Sequence, residues 1–325
     1  MTVPAAPVRP TTFFREIDRN RRNSILLVAI VVVLLGALGG AIGYATGFGW
    51  GGVIVAIVVA TLMTIGSYFA GDSLVLASSG AREVDVANPP EAYTQLVNVV
   101  QEMRLASGLP MPRVHVIPDS APNAFATGRD PKHASVAATT GLLEKLDREE
   151  LQGVIGHEMS HIGNYDIRFA LLVGVLVGSI ALLSDWFLRF TFWGGGRSRD
   201  NDRGGGGGAA AILMIAALLL AVIAPIIGRM VQLAVSRSRE SLADVSAVDL
   251  TRNPVGLARA LHRIAADPEV LEVANRATQH LYIVNPIKPF EQRASGLWDT
   301  HPPVAERIAN LERIAGQMGL LDATR

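Results

Sequence analysis

Between Ser24 and Tyr44 the chain reads SILLVAIVVVLLGALGGAIGY without one charged side chain. After the uncharged turn ATGFGW a second such run extends from Gly51 to Tyr68. A helix needs roughly 20 apolar residues to cross the hydrocarbon of a bilayer, so both runs are expected to be transmembrane helices. A third run, Phe169 to Leu183, continues into SDWFLRFTFW, where Asp185 and Arg189 stand one helical turn apart among aromatics. That ending has the composition of a membrane interface. The fourth run, Ala209 to Ile227, ends in Gly228-Arg229 and the amphipathic MVQLAVSRSRE. The alternative for this second pair is a buried apolar hairpin inside a soluble domain.

Composition agrees with a chain that spends part of its length in lipid: half of its 325 residues are hydrophobic and only 18% are charged. The formal net charge is zero, and no basic field or aromatic-plus-basic module points to nucleic acid. The absence of cysteine excludes disulfides, thiolate metal sites and cysteine nucleophiles together. Any metal must be held by nitrogen and oxygen.

Arg9, Arg15, Arg19, Arg21 and Arg22 precede the first run, while the turn after it is uncharged. The positive-inside rule therefore puts the N-terminus in the cytoplasm of a multi-pass inner (plasma) membrane protein. An even number of spans returns the C-terminus and the polar bulk to the same side. A cleavable signal peptide is the alternative for the first run, but its apolar part is too long and a second span follows at once. The linker GGGRSRDNDRGGGGG has no core-forming residue and is expected to lie outside the membrane.

The expected organisation is a cytoplasmic tail (1–23), a transmembrane hairpin (24–70) and a first polar block (71–168). A second hairpin (169–235) with an external loop (194–208) and a second polar block (236–325) complete it. Neither polar block reads as a complete domain. In the first, EAYTQLVNVVQEMRLASGL has helical spacing, and RVHVIPD and ASVAATT read as strands of a small sheet, either of which offers an edge to an extended peptide. LDREELQGVIGHEMSHIGNYD follows as a helix, with Asp147 at the N-cap and Glu150 three residues on.

On that helix His157 and His161 stand four residues apart, on one face, and can offer imidazole nitrogens to a single ion. Glu158 projects at an adjacent angle, beside a metal-bound water and not in a ligand position. Composition gives about 0.006 chance occurrences of H-E-x-x-H in such a chain. A catalytic zinc takes three protein ligands and leaves a position for water. No third histidine follows in IGNYD, so the donor must come from elsewhere. In SRSRESLADVSAVDL, Glu240 is a candidate ligand and Asp244, one turn on, a candidate acceptor for the free N–H of a ligating histidine. The alternative for this pair is a solvated helix face.

HEMSH followed by RESLAD resembles the HtpX family of membrane zinc endopeptidases, gluzincins related to the CAAX prenyl proteases. The resemblance extends from about residue 20 to 315 and includes NAFATG, GLL, EELQGVIGHEMSHIGNYD, RESLAD, THPP and ERI. It implies a mainly α protein with four transmembrane helices and a cytoplasmic α+β zincin-like domain with a small β-sheet. It also implies one zinc ion per chain on His157, His161 and Glu240, with Glu158 as general base and Asp244 orienting a ligand. Asn123 resembles the asparagine beside the substrate strand, and His301 the histidine near the scissile carbonyl; the structural alternatives are a turn residue for Asn123 and part of the rigid HPP corner for His301. The family more often carries a polar or acidic pair where this chain has Val304 and Ala305, which leaves Arg307 in register without an assigned role.

The implied function is cleavage of misfolded or damaged membrane proteins at the cytoplasmic face, with unfolded or membrane proteins as substrates and the lipid bilayer as a partner. An intramembrane protease would carry its motif inside an apolar run, whereas this one is flanked by EKLDREELQ and NYDIR. A non-catalytic membrane chaperone or scaffold is the other alternative, and nothing degenerate stands at the metal or base positions.

Overall fold

A computed structural model describes residues 49–168, 239–272, 281–284 and 302–320, with isolated helical positions between 22 and 40. The third and fourth apolar runs, the glycine-rich linker, the N-terminal arginines before Arg22 and His301 lie outside the described residues.

The second apolar run is helical and overshoots its apolar stretch. Helix α1 (Trp50–Ser78) is 29 residues long, about 43 Å at 1.5 Å per residue, and carries no charge before Asp72. Ile54, Leu62, Ile65 and Phe69 are half or more exposed on its surface, the reverse of a helix evolved to face water. Among the residues whose side chains are described, no unbroken helical stretch is long and apolar enough to cross a membrane. Gly39 of the first run lies against α1 so closely that a Cβ there would come within 2.3 Å of Ala56 Cβ and 2.6 Å of Gly52 O. Small residues at such a crossing allow two helices to touch backbone to backbone.

The last turns of α1 leave the apolar zone and join the polar body. Asp72 pairs with Arg113 Nη2 at 2.7 Å, and Leu76 packs with Ile117, Phe125 and Tyr282. Gly80, at φ 63°, ends the helix in the left-handed region that glycine tolerates.

Four strands follow: β1 (Arg82–Glu83), β2 (Arg113–Ile117), β3 (Ala124–Gly128) and β4 (Ala134–Thr139), in spatial order β1-β2-β4-β3. β2 runs parallel to β4, and β3 runs antiparallel to it. Period-two alternation sorts the side chains between two faces. Val114, Val116, Ala124, Ala126, Val136 and Ala138 enter the main core, while Ile117, Phe125 and Ala137 face Leu76 and Tyr282.

The order of strands corrects one expectation. RVHVIPD and ASVAATT were expected to offer a free edge, but β2 and β4 each have a neighbour on both sides. The edge on the site's side is β3, the AFATG stretch, whose small residues gave no strand signal on their own.

Helix α2 (Glu91–Ser107) is capped by Gly108 in the left-handed conformation and presents Leu96, Val97, Val100 and Met103 to the core. A short α3 (Thr140–Lys145) leads to α4 (Arg148–Gly163), which carries the histidine motif. Its start is the expected capping box: Glu150 N–H donates to Asp147 Oδ1 at 2.9 Å, and Asp147 N–H donates to Glu150 Oε2 at 3.0 Å. The other Glu150 oxygen is met by Arg263 Nε at 2.9 Å.

The second polar block contributes a helix over residues 239–251 (α5), α6 (Pro254–Ala266) and α7 (Val304–Gln317). Gly153 on α4 and Gly256 on α6 let these helices cross at backbone contact. A Cβ on Gly153 would stand 2.7 Å from Leu257 Cα, and one on Gly256 would stand 2.8 Å from Glu149 O. Leu257, Leu261 and Leu311 share one apolar cluster with Leu96 and Val154. The two polar blocks thus form a single core around α4.

Candidate metal and peptidase site

Helical geometry places His157 and His161 on one face of α4, and their rings stand edge to face with centroids 4.6 Å apart. Both imidazoles are fixed from behind. His157 Nδ1 lies 3.0 Å from Asp244 Oδ1, and His161 Nδ1 lies 3.0 Å from Asp166 Oδ2. With each Nδ1–H given to a carboxylate, each Nε2 presents a lone pair. These two Nε2 atoms face each other at 3.1 Å.

Glu240, delivered by α5, closes the third side. Its Oε1 lies 3.5 Å from His161 Nε2, and its Oε2 lies 3.6 Å from His157 Nε2. One donor atom from each of His157, His161 and Glu240 falls within 4.8 Å of the others. Two nitrogens each about 2.05 Å from a tetrahedral ion would be about 3.3 Å apart. Without a cation between them, two lone pairs and a carboxylate converging in a buried space repel one another.

Charge accounting points the same way. Glu158, Asp166, Glu240 and Asp244 are all buried together, and the guanidiniums among them are Arg307 and Arg239. With both imidazoles neutral as ligands, a divalent cation would cancel the two negative charges that remain among the described residues. The donor set of two imidazoles and one carboxylate suits zinc.

Glu158 is fully buried, its carboxylate facing the backbone N–H of Ala126 at the edge of β3. Burial raises its pKa above the ordinary carboxylate value, against the pull of His157 and His161. Burial alone would lower the pKa of both histidines. The carboxylates beside them, Asp244 and Glu240 at His157 and Asp166 and Glu240 at His161, raise them instead.

Two residues of the site had no role in the sequence reading. Asp166, just past the end of α4, carries the His161 contact. Arg307, on α7, is 2% exposed. Its Nε and Nη2 donate to Asp244, and its Nη1 lies 3.3 Å from Glu240 Oε2 and 2.8 Å from the Ile283 carbonyl. Burial opposes the Asp244 carboxylate, yet the Arg307 guanidinium holds its pKa down to about 2. The signal available for Arg307 was its position six residues after His301, in ERI; for Asp166 it was the NYD that closes the motif helix.

Asn123 is buried at the start of β3. Its Oδ1 accepts from Ala124 N–H at 3.0 Å, and its Nδ2 donates to the Val284 carbonyl at 2.9 Å. His301 lies outside the described residues.

A model of Peptidase family M48 matches residues 90–315. A protein described as Protease HtpX homolog from Lactiplantibacillus plantarum is 44% identical over 304 residues, covering 93% of this chain and 99% of that one. Its namesake from Thermoanaerobacter pseudethanolicus is 42% identical over 93% of this chain and 98% of its own. The one from Dictyoglomus thermophilum is 39% identical over 97% of this chain and 99% of its own. Among solved structures, the crystal structure of S. mikatae Ste24p aligns with 92% of this chain and 67% of that one at 16% identity and a TM-score of 0.48. With the family model matched over more than half its length and relatives aligned nearly end to end, the chain belongs to Peptidase family M48, and it is a metalloprotease related to the HtpX homologues.

Proposed function

We propose that this metalloprotease is a membrane-anchored zinc endopeptidase that cleaves unfolded or damaged membrane proteins at the cytoplasmic face. The observation that carries the reading is the pair of Nε2 atoms 3.1 Å apart, each with its Nδ1 committed to a carboxylate. His157, His161 and Glu240 are the ligands, Asp244 and Asp166 fix the imidazoles, and Glu158 is the general base. Bound there, zinc would act as a Lewis acid that acidifies a water and polarises the scissile carbonyl.

The remaining work falls to the chain. Glu158 takes the proton of the attacking water and returns it to the leaving amine, and its burial makes it a stronger base than an exposed carboxylate. His301 is assigned as hydrogen-bond donor to the oxyanion. The substrate backbone is received by β3. Thr139 N–H donates to Asn123 O, so in an antiparallel pair the odd residues of β3 bond β4 and the even ones turn outward. Ala126 thus turns its N–H toward Glu158 and offers its C=O to an extended peptide there. Such pairing selects for unfolded chain more than for sequence.

Membrane anchoring is supported by the four apolar runs and by the exposed apolar face of α1. The arginine cluster before the first run supports cytoplasmic termini and a cytoplasmic site. The hairpins 24–70 and 169–235 and the catalytic blocks 71–168 and 236–325 remain part of this proposal.

The test separates ligand from base. In Glu158→Gln, zinc stays near one per chain while cleavage of an unfolded protein falls to background; in Glu240→Ala, zinc affinity itself is lost. Zinc content by mass spectrometry and a cleavage assay on the detergent-solubilised chain read both. Wild-type cleavage by Glu158→Gln, or undiminished zinc affinity in Glu240→Ala, would falsify the assignment.

A further inference from the structure

The free edge of β3 is already occupied at its N-terminal end. Ile283 N–H donates to Ala124 O at 3.0 Å, Asn123 Nδ2 donates to the Val284 carbonyl at 2.9 Å, and Arg307 Nη1 donates to the Ile283 carbonyl at 2.8 Å. The same Nη1 lies 3.3 Å from Glu240, so the Ile283 carbonyl is one guanidinium away from a metal ligand. The side chains are seated as firmly as the backbone. Ile283 and Val284 enter the main core, and Tyr282 packs edge-on against Phe125 with ring centroids 5.1 Å apart.

Main chain on an edge strand with apolar side chains in pockets is how a peptide is held by strand addition. Among the described residues, the hydrogen bonds to the backbone of residues 283 and 284 come from β3, from the side chain of the asparagine that opens it and from the arginine of the site. We propose that Leu281–Val284 is an occupant of the peptide-binding edge supplied by the chain itself, and that Ile283 and Val284 must leave before a substrate is cut. The proposal rests on the peptidase reading given above and adds to it a regulation and a substrate class.

Displacement is an exchange. The pockets vacated by Ile283 and Val284 are apolar and buried, so leaving them empty is costly. An incoming segment restores the loss only if it brings apolar side chains of similar size, while a polar segment leaves the clip in place. Tyr282, fully buried between Phe125 and Leu76, stays as the anchor about which the next two residues open. The enzyme is thereby closed to the polar surface loops of folded proteins and open to extended apolar chain.

Hydrogen exchange on the zinc-loaded Glu158→Gln chain in lipid nanodiscs tests this without turnover. The probes are a short unstructured peptide carrying Tyr-Ile-Val and a counterpart carrying Ser-Asn-Ser, with peptide binding followed by fluorescence anisotropy. With the apolar peptide at saturation, the amides of residues 283 and 284 are expected to exchange roughly tenfold faster or more, and with the polar peptide to stay protected. Unchanged protection while the apolar peptide is bound, or equal release by both peptides, overturns the proposal. Ile283→Gly in the otherwise wild-type, zinc-loaded chain is expected to raise kcat/KM about fivefold by enlarging the open fraction, and a fall in that ratio overturns it as well. Cleavage by the wild-type chain is read in parallel. Clip release without any cleavage there sinks the peptidase reading and leaves the clip standing.

Discussion

Arg307 donates from Nε and Nη2 to the two carboxylate oxygens of Asp244, at 2.9 and 2.7 Å, while Asp244 Oδ1 lies 3.0 Å from Nδ1 of His157. A guanidinium on α7 thereby sets the charge and direction of the carboxylate that orients a histidine on α4. Arg307→Met would leave Asp244 buried and without its cationic partner, a loss of about 3 to 5 kcal/mol when a buried pair is broken. Arg307→Lys keeps the charge but not the two-pronged geometry, so it should fall between Met and wild type. Asp244→Asn should weaken zinc binding by about 10- to 100-fold through the loosened His157. Chemical denaturation and competition with a chromophoric chelator measure the two effects separately. Wild-type stability in Arg307→Met would remove the pair from the architecture of the site.

Asp244 also gives the metal-free protein an acid signature. Its folded pKa, about 2, lies below the unfolded value of 3.8. A depressed carboxylate stabilises the fold above the unfolded pKa, and that contribution disappears as pH falls from about 4 through about 2. The difference amounts to on the order of 2 kcal/mol. Between pH 5 and 2 the metal-free wild type should therefore lose stability more steeply than Asp244→Asn. Parallel slopes for the two proteins across that window would contradict the pairing.

Gly153, four residues before His157, should be intolerant of even one added carbon. A Cβ at Gly153 would stand 2.7 Å from both Cα and N of Leu257, which are backbone atoms with nowhere to move unless α4 and α6 separate. Gly153→Ala should cost about 1 to 3 kcal/mol by overpacking, despite the better helix propensity of alanine. Gly163 tests the opposite case, since its nearest neighbours are the flexible tips of Leu109 at 3.5 and 3.9 Å. Gly163→Ala should be neutral or stabilising, and a melting comparison of the two variants decides it.

Topology is open to labelling because the chain has no cysteine of its own. Ser198→Cys in intact cells should react with a membrane-impermeant maleimide from outside, while Thr324→Cys near the C-terminus should react only after the membrane is opened. Labelling of Ser198→Cys from the cytoplasmic side alone would remove the second hairpin as a pair of spans.

The helix that carries the histidines was legible in the sequence because its determinants are local. Asp147 and Glu150 close a capping box within one turn, and a spacing of four puts His157 and His161 on one face whatever surrounds them. The apolar runs were legible for a similar reason, since length and lack of charge are properties of a segment by itself. Glu240 and Asp244 were candidates because the histidine pair needs a third donor, and RESLAD then resembled a family pattern; taken alone, two acids one turn apart fit a solvated face better. Only the tertiary structure decided that they are buried, since burial depends on what α4 and α7 press against them. Arg307 and Asp166 had only their places in ERI and NYD to mark them, since a charge near a helix end carries no sign of the partner that will enclose it. The open edge at AFATG was a tertiary outcome too. Propensity marks strands, but their order is set by which faces the helices cover, and that is settled only when α2, α4 and the end of α1 close on the sheet.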